Sequence, residues 1–274
     1  MDAGLCQHDD VTEEHMSNLI VTVENHVATA VLNRPEAMNS LDTQLRQELV
    51  EFWERVRHDD DIWVVVLTGA GEKAFCAGAD LKKAVPMDES YAQQMFSNPV
   101  PASTAAHMET DKPIIAAVNG YAMGGGMEIA LACDIRIASD TAQFALSEAK
   151  VGSIPGSAGT QRLPRAIGMS DAMLMLLTGD RISAQEAYRN GLVSKVVPPA
   201  ELMPAAYEIA RKIAANAPLS VRAIKRLVKR GMDMPLAHAA ELERFAFGLL
   251  YQSEDRIEGR KAFAEKRKPQ YKGR

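Results

Sequence analysis

No stretch of this sequence approaches the ~18 consecutive apolar residues that a helix needs to cross a bilayer, so no membrane role is expected. Cysteine is scarce. Cys6, Cys76 and Cys133 are odd in number and form no CxxC pair, which argues against a disulfide framework and for reduced thiols in a cytoplasmic setting. Cys133, in apolar surroundings, reads as core packing rather than as a reactive thiol. The six histidines are scattered and no HExxH or similar ligand pair occurs, so no metal is expected. Positive charge is not in excess: a net charge of −5 argues against nucleic acid as a bulk partner. Residues 1–18 are acidic and lack the apolar core of a signal peptide, and are expected to be a mobile leader. Neither internal repeats nor low-complexity linkers are visible.

Three phosphate and nucleophile motifs are missing as well. After Gly124 and Gly126 the third glycine of G-x-G-x-x-G would fall at Ile129, so the dinucleotide fingerprint fails. No Lys-Ser or Lys-Thr follows the glycines, which removes a P-loop. In Gly156-Ser157-Ala158-Gly159 the serine sits one place too early for a G-x-S-x-G elbow.

What is present centres on residues 112–134. Residues 113–118 are short and nearly all apolar, as in a strand buried on both faces. From Gly124 a helix is expected to open on three glycines. Such a start lets a ligand approach the backbone and points unpaired N–H groups and partial positive charge at it. That arrangement suits a carbonyl developing negative charge. Glu128 follows in an otherwise apolar helix, where a carboxylate is costly unless partnered; the plainer reading is an acid satisfying its own helix start.

Around this stretch, residues 19–24 and 27–32 read as a hairpin about Asn25-His26. A polar loop over 33–40 leads to a cap at Ser40 or Asp42 and an amphipathic helix over 43–57. Residues 62–68 form a central strand. The small-residue segment 69–82 is either a surface turn or a place where backbone lies against a ligand. Met87, Tyr91, Met95 and Phe96 share a helical face, as core packing or as a pliable lid over an apolar acyl group. Short strands are expected at 135–138 and 143–146, and Ser147-Glu148 leads into a glycine-rich turn. Helical patterns cover 159–167, 170–178, 183–190, 201–216, 218–231, 235–250 and 253–266. The class is therefore α/β, with a helical layer in the last third. The tail from Arg256 carries eight Lys/Arg against two Glu. That is a solvated face, or a surface for an anionic head group or a neighbouring subunit.

Residues 74–82 (AFCAGADLK), 112–134, Gln161-Arg162-Leu163-Pro164-Arg165 and Leu177-Thr178-Gly179-Asp180, in this order and spacing, resemble the enoyl-CoA hydratase/isomerase (crotonase) family over about 19–272. The resemblance implies a crotonase (ClpP/crotonase-like) fold of repeated ββα units, with 19–200 as core and 201–274 as a C-terminal helical trimerisation region. Homotrimers or hexamers are then expected, as is an acyl-CoA substrate, with coenzyme A part of that substrate rather than a separate cofactor. It also maps an oxyanion hole onto the amides of Ala79 and Gly125, and contacts to the substrate and its coenzyme A onto Ala77, Ala79, Asp80, Leu81, Lys82 and Gly125. Hydratases of the family carry two glutamates twenty positions apart, which correspond here to Glu128 and Glu148. Hydration of a 2-enoyl-CoA, as in fatty-acid β-oxidation, is the implied reaction. Isomerisation of a 3-enoyl-CoA, or another lyase or hydrolase reaction, is the alternative within the family. A non-catalytic acyl-CoA sensor or an RNA-binding protein is the alternative outside it. Ser147 stands where hydratases usually have proline, Ser153 replaces a usual large apolar residue, and Ser157-Ala158 a more glycine-rich pair. A more polar wall beside Glu148 tilts the expected substrate toward a functionalised or branched acyl chain.

Overall fold

The computed structural model describes residues 12–15 in backbone, and residues 17–80 and 104–274 in full. The proposed lid residues between 87 and 96 lie outside the described residues, as do Leu81 and Lys82.

Two sheets form the frame. The larger has the strand order β1-β2-β3-β4-β6-β8-β11 and the smaller β10-β9-β7-β5. The strands run β1 (Thr12–His15), β2 (Leu19–Glu24), β3 (Val27–Leu32), β4 (Val64–Gly69), β5 (Ala74–Cys76), β6 (Ile114–Val118), β7 (Tyr121–Met123), β8 (Ile135–Ser139), β9 (Gln143–Ala145), β10 (Ile182–Ser183) and β11 (Lys195–Val197). β2 and β3 form the expected hairpin, and Asn25 and His26 both take positive φ, 50° and 65°, as a tight two-residue turn requires. From β3 onward the larger sheet is parallel. Thr12–His15, read from sequence as part of a mobile leader, instead pair with β2 as an added antiparallel edge.

The chain alternates between the sheets. β4, β6 and β8 lie in the large sheet, and each is followed by a three-residue strand (β5, β7 or β9) in the small one. This is the repeated unit of the expected fold, and it explains why strands so short form at all. β5 pairs with β7 across one register shift, and β7 pairs in register with β9, so tertiary pairing supports strands too short to stand on sequence pattern alone.

Both faces of the large sheet are buried, as the unbroken apolar runs predict. Val65 and Leu67 of β4 and Ile114, Ala116 and Val118 of β6 pack toward the small sheet and α1 (Thr43–His58), among Phe52, Trp53, Phe75 and Phe144. Their alternates Val64, Val66, Ile115 and Ala117 face the helix Pro199–Ala214, whose Leu202, Ala205, Ala206 and Ala210 lie over them. Each such fully buried Val, Ile or Leu contributes roughly 1.5–3 kcal/mol before entropy is counted. Cys76 and Cys133 sit in this interior as free thiols, and burial pushes them up to about 11 and about 12, so neither is a thiolate at neutral pH.

Helices follow the expected spans closely: α2 (Gly125–Ala132), α3 (Gly159–Ala166), α4 (Met169–Thr178), α5 (Ala184–Arg189), α6 (Pro199–Ala214), α7 (Pro218–Gly231), α8 (Leu236–Leu250) and α9 (Glu254–Ala264). α7 is pinned to the core through Asp134. That carboxylate accepts from the Ile114 amide at 2.7 Å and pairs with Lys225 at 2.7 Å and Lys229 at 2.9 Å. The last helices nevertheless leave large apolar side chains uncovered: Leu236, Leu249 and Phe263 are each more than four-fifths exposed. Among the described residues no helix is long and apolar enough to cross a membrane.

Candidate active site

The glycines at the start of α2 do three different jobs. Gly124, at φ 51°, turns the chain out of β7: its N–H still donates to Ala145 O, and its carbonyl already accepts the Glu128 amide at 3.0 Å. Gly125 is therefore the first helical residue, where an N–H has no partner within the helix. Gly126 packs on β5 so tightly that a Cβ there would lie 2.0 Å from Cys76 O.

Contact with β5 brings the second amide. Gly78, at φ 91°, lies against the same turn, and a Cβ on it would fall 2.8 Å from Met123 O and 3.2 Å from Gly125 N. Ala79 follows in an isolated parallel bridge with Leu41. Leu41 donates to Gly78 O at 2.8 Å and accepts from Asp80 N at 3.1 Å. In a parallel bridge those two bonds flank the residue between them, so the N–H of Ala79 is turned away from Leu41. Its nitrogen lies 3.8 Å from where a Cβ of Gly125 would sit, which places the two expected amides side by side. Among the described residues neither has an acceptor. The loop before α1 holds this bridge in place: Arg34 pairs with Asp42 and Asp80 at 3.2 Å each, and Asp42 caps α1 through the Leu45 amide. Asp80, expected near the thioester, thus directs its carboxylate at Arg34, and Ala77 donates to Met38 O at 3.0 Å.

Glu128 is 3% exposed. Its partners are not the amides of its own helix start, the plainer reading of the sequence, but those of a distant turn. Ser157 N and Gly159 N both donate to Oε1, at 2.5 and 2.9 Å. Two such bonds hold the carboxylate in a fixed orientation. Ala158 between them caps α3 with φ 67°, a left-handed conformation that a side chain disfavours by ~1–2 kcal/mol. Ala158→Gly relieves that strain while adding ~0.4–1 kcal/mol of unfolded-state entropy. Urea unfolding should therefore show a gain of up to about 1 kcal/mol, and a loss of stability would mean that the alanine methyl packs usefully.

Glu148 opens a single 3-10 turn, Glu148–Val151. Its Oε1 lies 3.3 Å from where a Cβ of Gly124 would sit, so the carboxyl faces the glycine start of α2. Its Oε2 is buried without a hydrogen-bond partner among the described residues. Burial foremost, and then the charge of Glu128, push the pKa of Glu148 up. The two acids thus sit in unlike environments, one receiving amides and one losing water, which is how paired carboxyls acquire opposite roles. A cavity of about 610 Å³ has Met38, Ala77, Tyr121, Met123, Ser147 and Arg181 in its wall, and neither glutamate. Ser147 takes its expected place in that wall. Ser153 is exposed, and Ser157 acts through its backbone. Sequence reasoning missed Leu41 and Gly159, because their contributions are a backbone pairing and a backbone amide.

The family model for enoyl-CoA hydratase/isomerase matches residues 22–274. The chain is 55% identical over 251 residues to (E)-benzylidenesuccinyl-CoA hydratase of Thauera aromatica, covering 92% of this chain and 97% of that one. It is 43% identical to the short-chain-enoyl-CoA hydratase of Clostridium acetobutylicum, with 92% and 97% covered. The crystal structure of enoyl-CoA hydratase from Bacillus anthracis superposes with a TM-score of 0.86 at 42% identity, covering 97% of this chain and all of that one. The chain belongs to the enoyl-CoA hydratase/isomerase family: it is an enzyme, a hydro-lyase with the crotonase fold.

Proposed function

We propose that this enzyme adds water across the 2,3 double bond of a substituted 2-enoyl-CoA thioester, giving a 3-hydroxyacyl-CoA. The observation that carries the reading is the pair of unlike carboxyls, Glu128 and Glu148, beside the two unengaged amides of Ala79 and Gly125. The thioester oxygen accepts from both amides, which stabilise the enolate formed when water attacks; a donor of this kind is worth about 3–4 kcal/mol. Glu128, ionised, takes a proton from the water as its oxygen bonds to the β-carbon. Glu148, protonated, delivers its proton to the α-carbon. Water has then been added, and moving one proton from Glu128 back to Glu148 resets the site. Ala77, Asp80, Leu81 and Lys82 complete the thioester contacts in this reading, and coenzyme A arrives as part of the substrate. Isomerisation needs only one carboxylate to shuttle a proton and leaves the second unexplained.

A substituted acyl group is supported by the 55% identical relative, whose name specifies an acyl group with an aryl ring and a second carboxylate. Uncovered apolar side chains on α7–α9 support a homo-oligomer, in which copies of the chain bury them. Incubating the enzyme with crotonyl-CoA and with aryl-substituted 2-enoyl-CoAs tests the reaction. Hydration removes the conjugated-thioester absorbance and raises the product mass by one water; an unchanged mass with a moved double bond would instead mean isomerisation.

A further inference from the structure

We propose that Arg34 is a positioning residue for the reaction: its buried guanidinium brackets the bridge between Leu41 and Ala79 and so fixes the aim of the Ala79 amide. This rests on the hydratase reading above, in which that amide meets the thioester oxygen.

The amide needs a tether. β5, which leads to it, is three residues long and meets β7 across a register shift. Gly78 then follows at φ 91°, a conformation that glycine enters and leaves at little cost. Ala79 itself is exposed, so its methyl has little packing to hold it. The backbone bonds of Leu41 to Gly78 and Asp80 turn the Ala79 N–H outward. Its direction is therefore set by where Leu41 sits.

Arg34 sets where Leu41 sits. Its guanidinium donates to the carbonyl and hydroxyl oxygens of Ser40 and pairs with Asp42, the residues on either side of Leu41. The nitrogen that pairs with Asp42 also reaches Asp80, the residue after Ala79, at 3.2 Å. One planar group thus ties both strands of the bridge, and two largely buried carboxylates compensate its charge. Its backbone is fixed as well. Arg34 N donates to Asn39 Oδ1 at 2.9 Å, and Asn39 Nδ2 donates to Ala74 O at 2.7 Å, where β5 begins. Arg34 is therefore anchored to one end of β5 at its main chain and to the residues beyond the other end at its tip. A lysine would carry the charge, but a single ammonium cannot reproduce a rigid fork that meets Ser40, Asp42 and Asp80 together.

An ion cluster that merely stabilised the fold would change how much enzyme is folded, not how strongly the bound thioester oxygen is held. That strength is visible in the infrared band of butyryl-CoA isotopically labelled at its thioester carbonyl, because hydrogen bonds to the oxygen weaken the C=O bond and lower its frequency. Wild-type enzyme should lower this band relative to free butyryl-CoA. Arg34→Lys should return it part of the way and reduce kcat for crotonyl-CoA by roughly ten- to a hundredfold, the scale of a displacement of up to about 1 Å at a reacting group. Asp42→Asn, which keeps a good helix cap, should act in the same direction and serves if Arg34→Lys does not fold. Binding of S-butyl-CoA, a thioether that lacks the carbonyl oxygen, should be unchanged in both variants. A folded variant whose bound thioester band stays at the wild-type position would overturn the proposal and leave Arg34 a structural residue. Equal weakening of butyryl-CoA and S-butyl-CoA would also overturn it, by placing the effect on the coenzyme contacts. If binding to the wild type does not move the band at all, the oxyanion reading itself fails and this proposal with it.

Discussion

Glu148→Gln is expected to lower kcat by about a hundred- to ten-thousand-fold, the usual worth of a positioned general acid, with little change in affinity for a saturated acyl-CoA. Glutamine keeps the shape but has no proton to give to the α-carbon. Glu128→Gln should fall by a similar factor for the opposite reason: it cannot accept a proton from water, and its amide can present –NH₂ to the Ser157 and Gly159 donors that hold the carboxylate. The two variants differ in pH behaviour. Glu148 has its pKa raised in the folded enzyme by burial and by Glu128, so the protonated form is favoured by folding. The native state then binds more protons than the unfolded chain between the ordinary carboxyl pKa and the raised one. Stability is highest below that window and declines as pH rises through it. Activity should be lost over the same alkaline limb, because the proton donor ionises. Glu148→Gln should therefore remove this decline in stability while abolishing most turnover, a trade expected of a strained catalytic group. Denaturant titrations across pH, paired with initial rates, test it; full activity in either variant would remove the assignment of acid and base.

The parts of this enzyme readable from sequence are those where one physical requirement dominates several neighbouring residues. Val64 to Leu67 and Ile114 to Val118 are apolar at every position because both faces are covered, and no other environment tolerates that pattern. The glycines at 124–126 marked a place where backbone meets ligand or backbone, and the structure gives each a distinct geometric reason. Glu128 and Glu148 were identified through resemblance, and the spacing alone could not say what each touches. What stayed hidden depends on partners remote in the chain. β5, β7 and β11 are three residues long and exist because neighbouring strands offer edges to pair with, whereas β9 was expected at 143–146. Whether Glu128 answered to its own helix or to another segment was undecidable until the turn at Ser157–Gly159 was placed against it.

Gly126→Ala should be the most damaging single-methyl addition in the site. The new Cβ would lie 2.0 Å from Cys76 O, 2.7 Å from Cys76 C and 2.8 Å from Cys76 Cβ, a clash with the backbone and side chain of β5 rather than with a flexible chain end. Relief requires β5 and α2 to separate. Ala79 follows β5 by three residues and Gly125 opens α2, so the same movement breaks packing and opens the oxyanion hole. The stability loss is expected at roughly 3 kcal/mol or more, the upper range for overpacking. For enzyme that remains folded, a displacement near 1 Å should cost about a hundredfold in turnover. Neighbouring glycines provide the contrast. At Gly125 a methyl would meet Leu41 Cδ1 at 3.4 Å, an ordinary contact, and at Gly168 it would meet nothing within 4 Å. Gly168→Ala should leave stability unchanged or raise it by up to ~1 kcal/mol, and Gly125→Ala should fold nearly as well as the parent. Urea unfolding of the three variants ranks them directly. If Gly126→Ala unfolds at the same midpoint as Gly168→Ala, then β5 and α2 are not in the close backbone contact that sets the two amides side by side, and the geometry on which the proposed reaction depends fails with it.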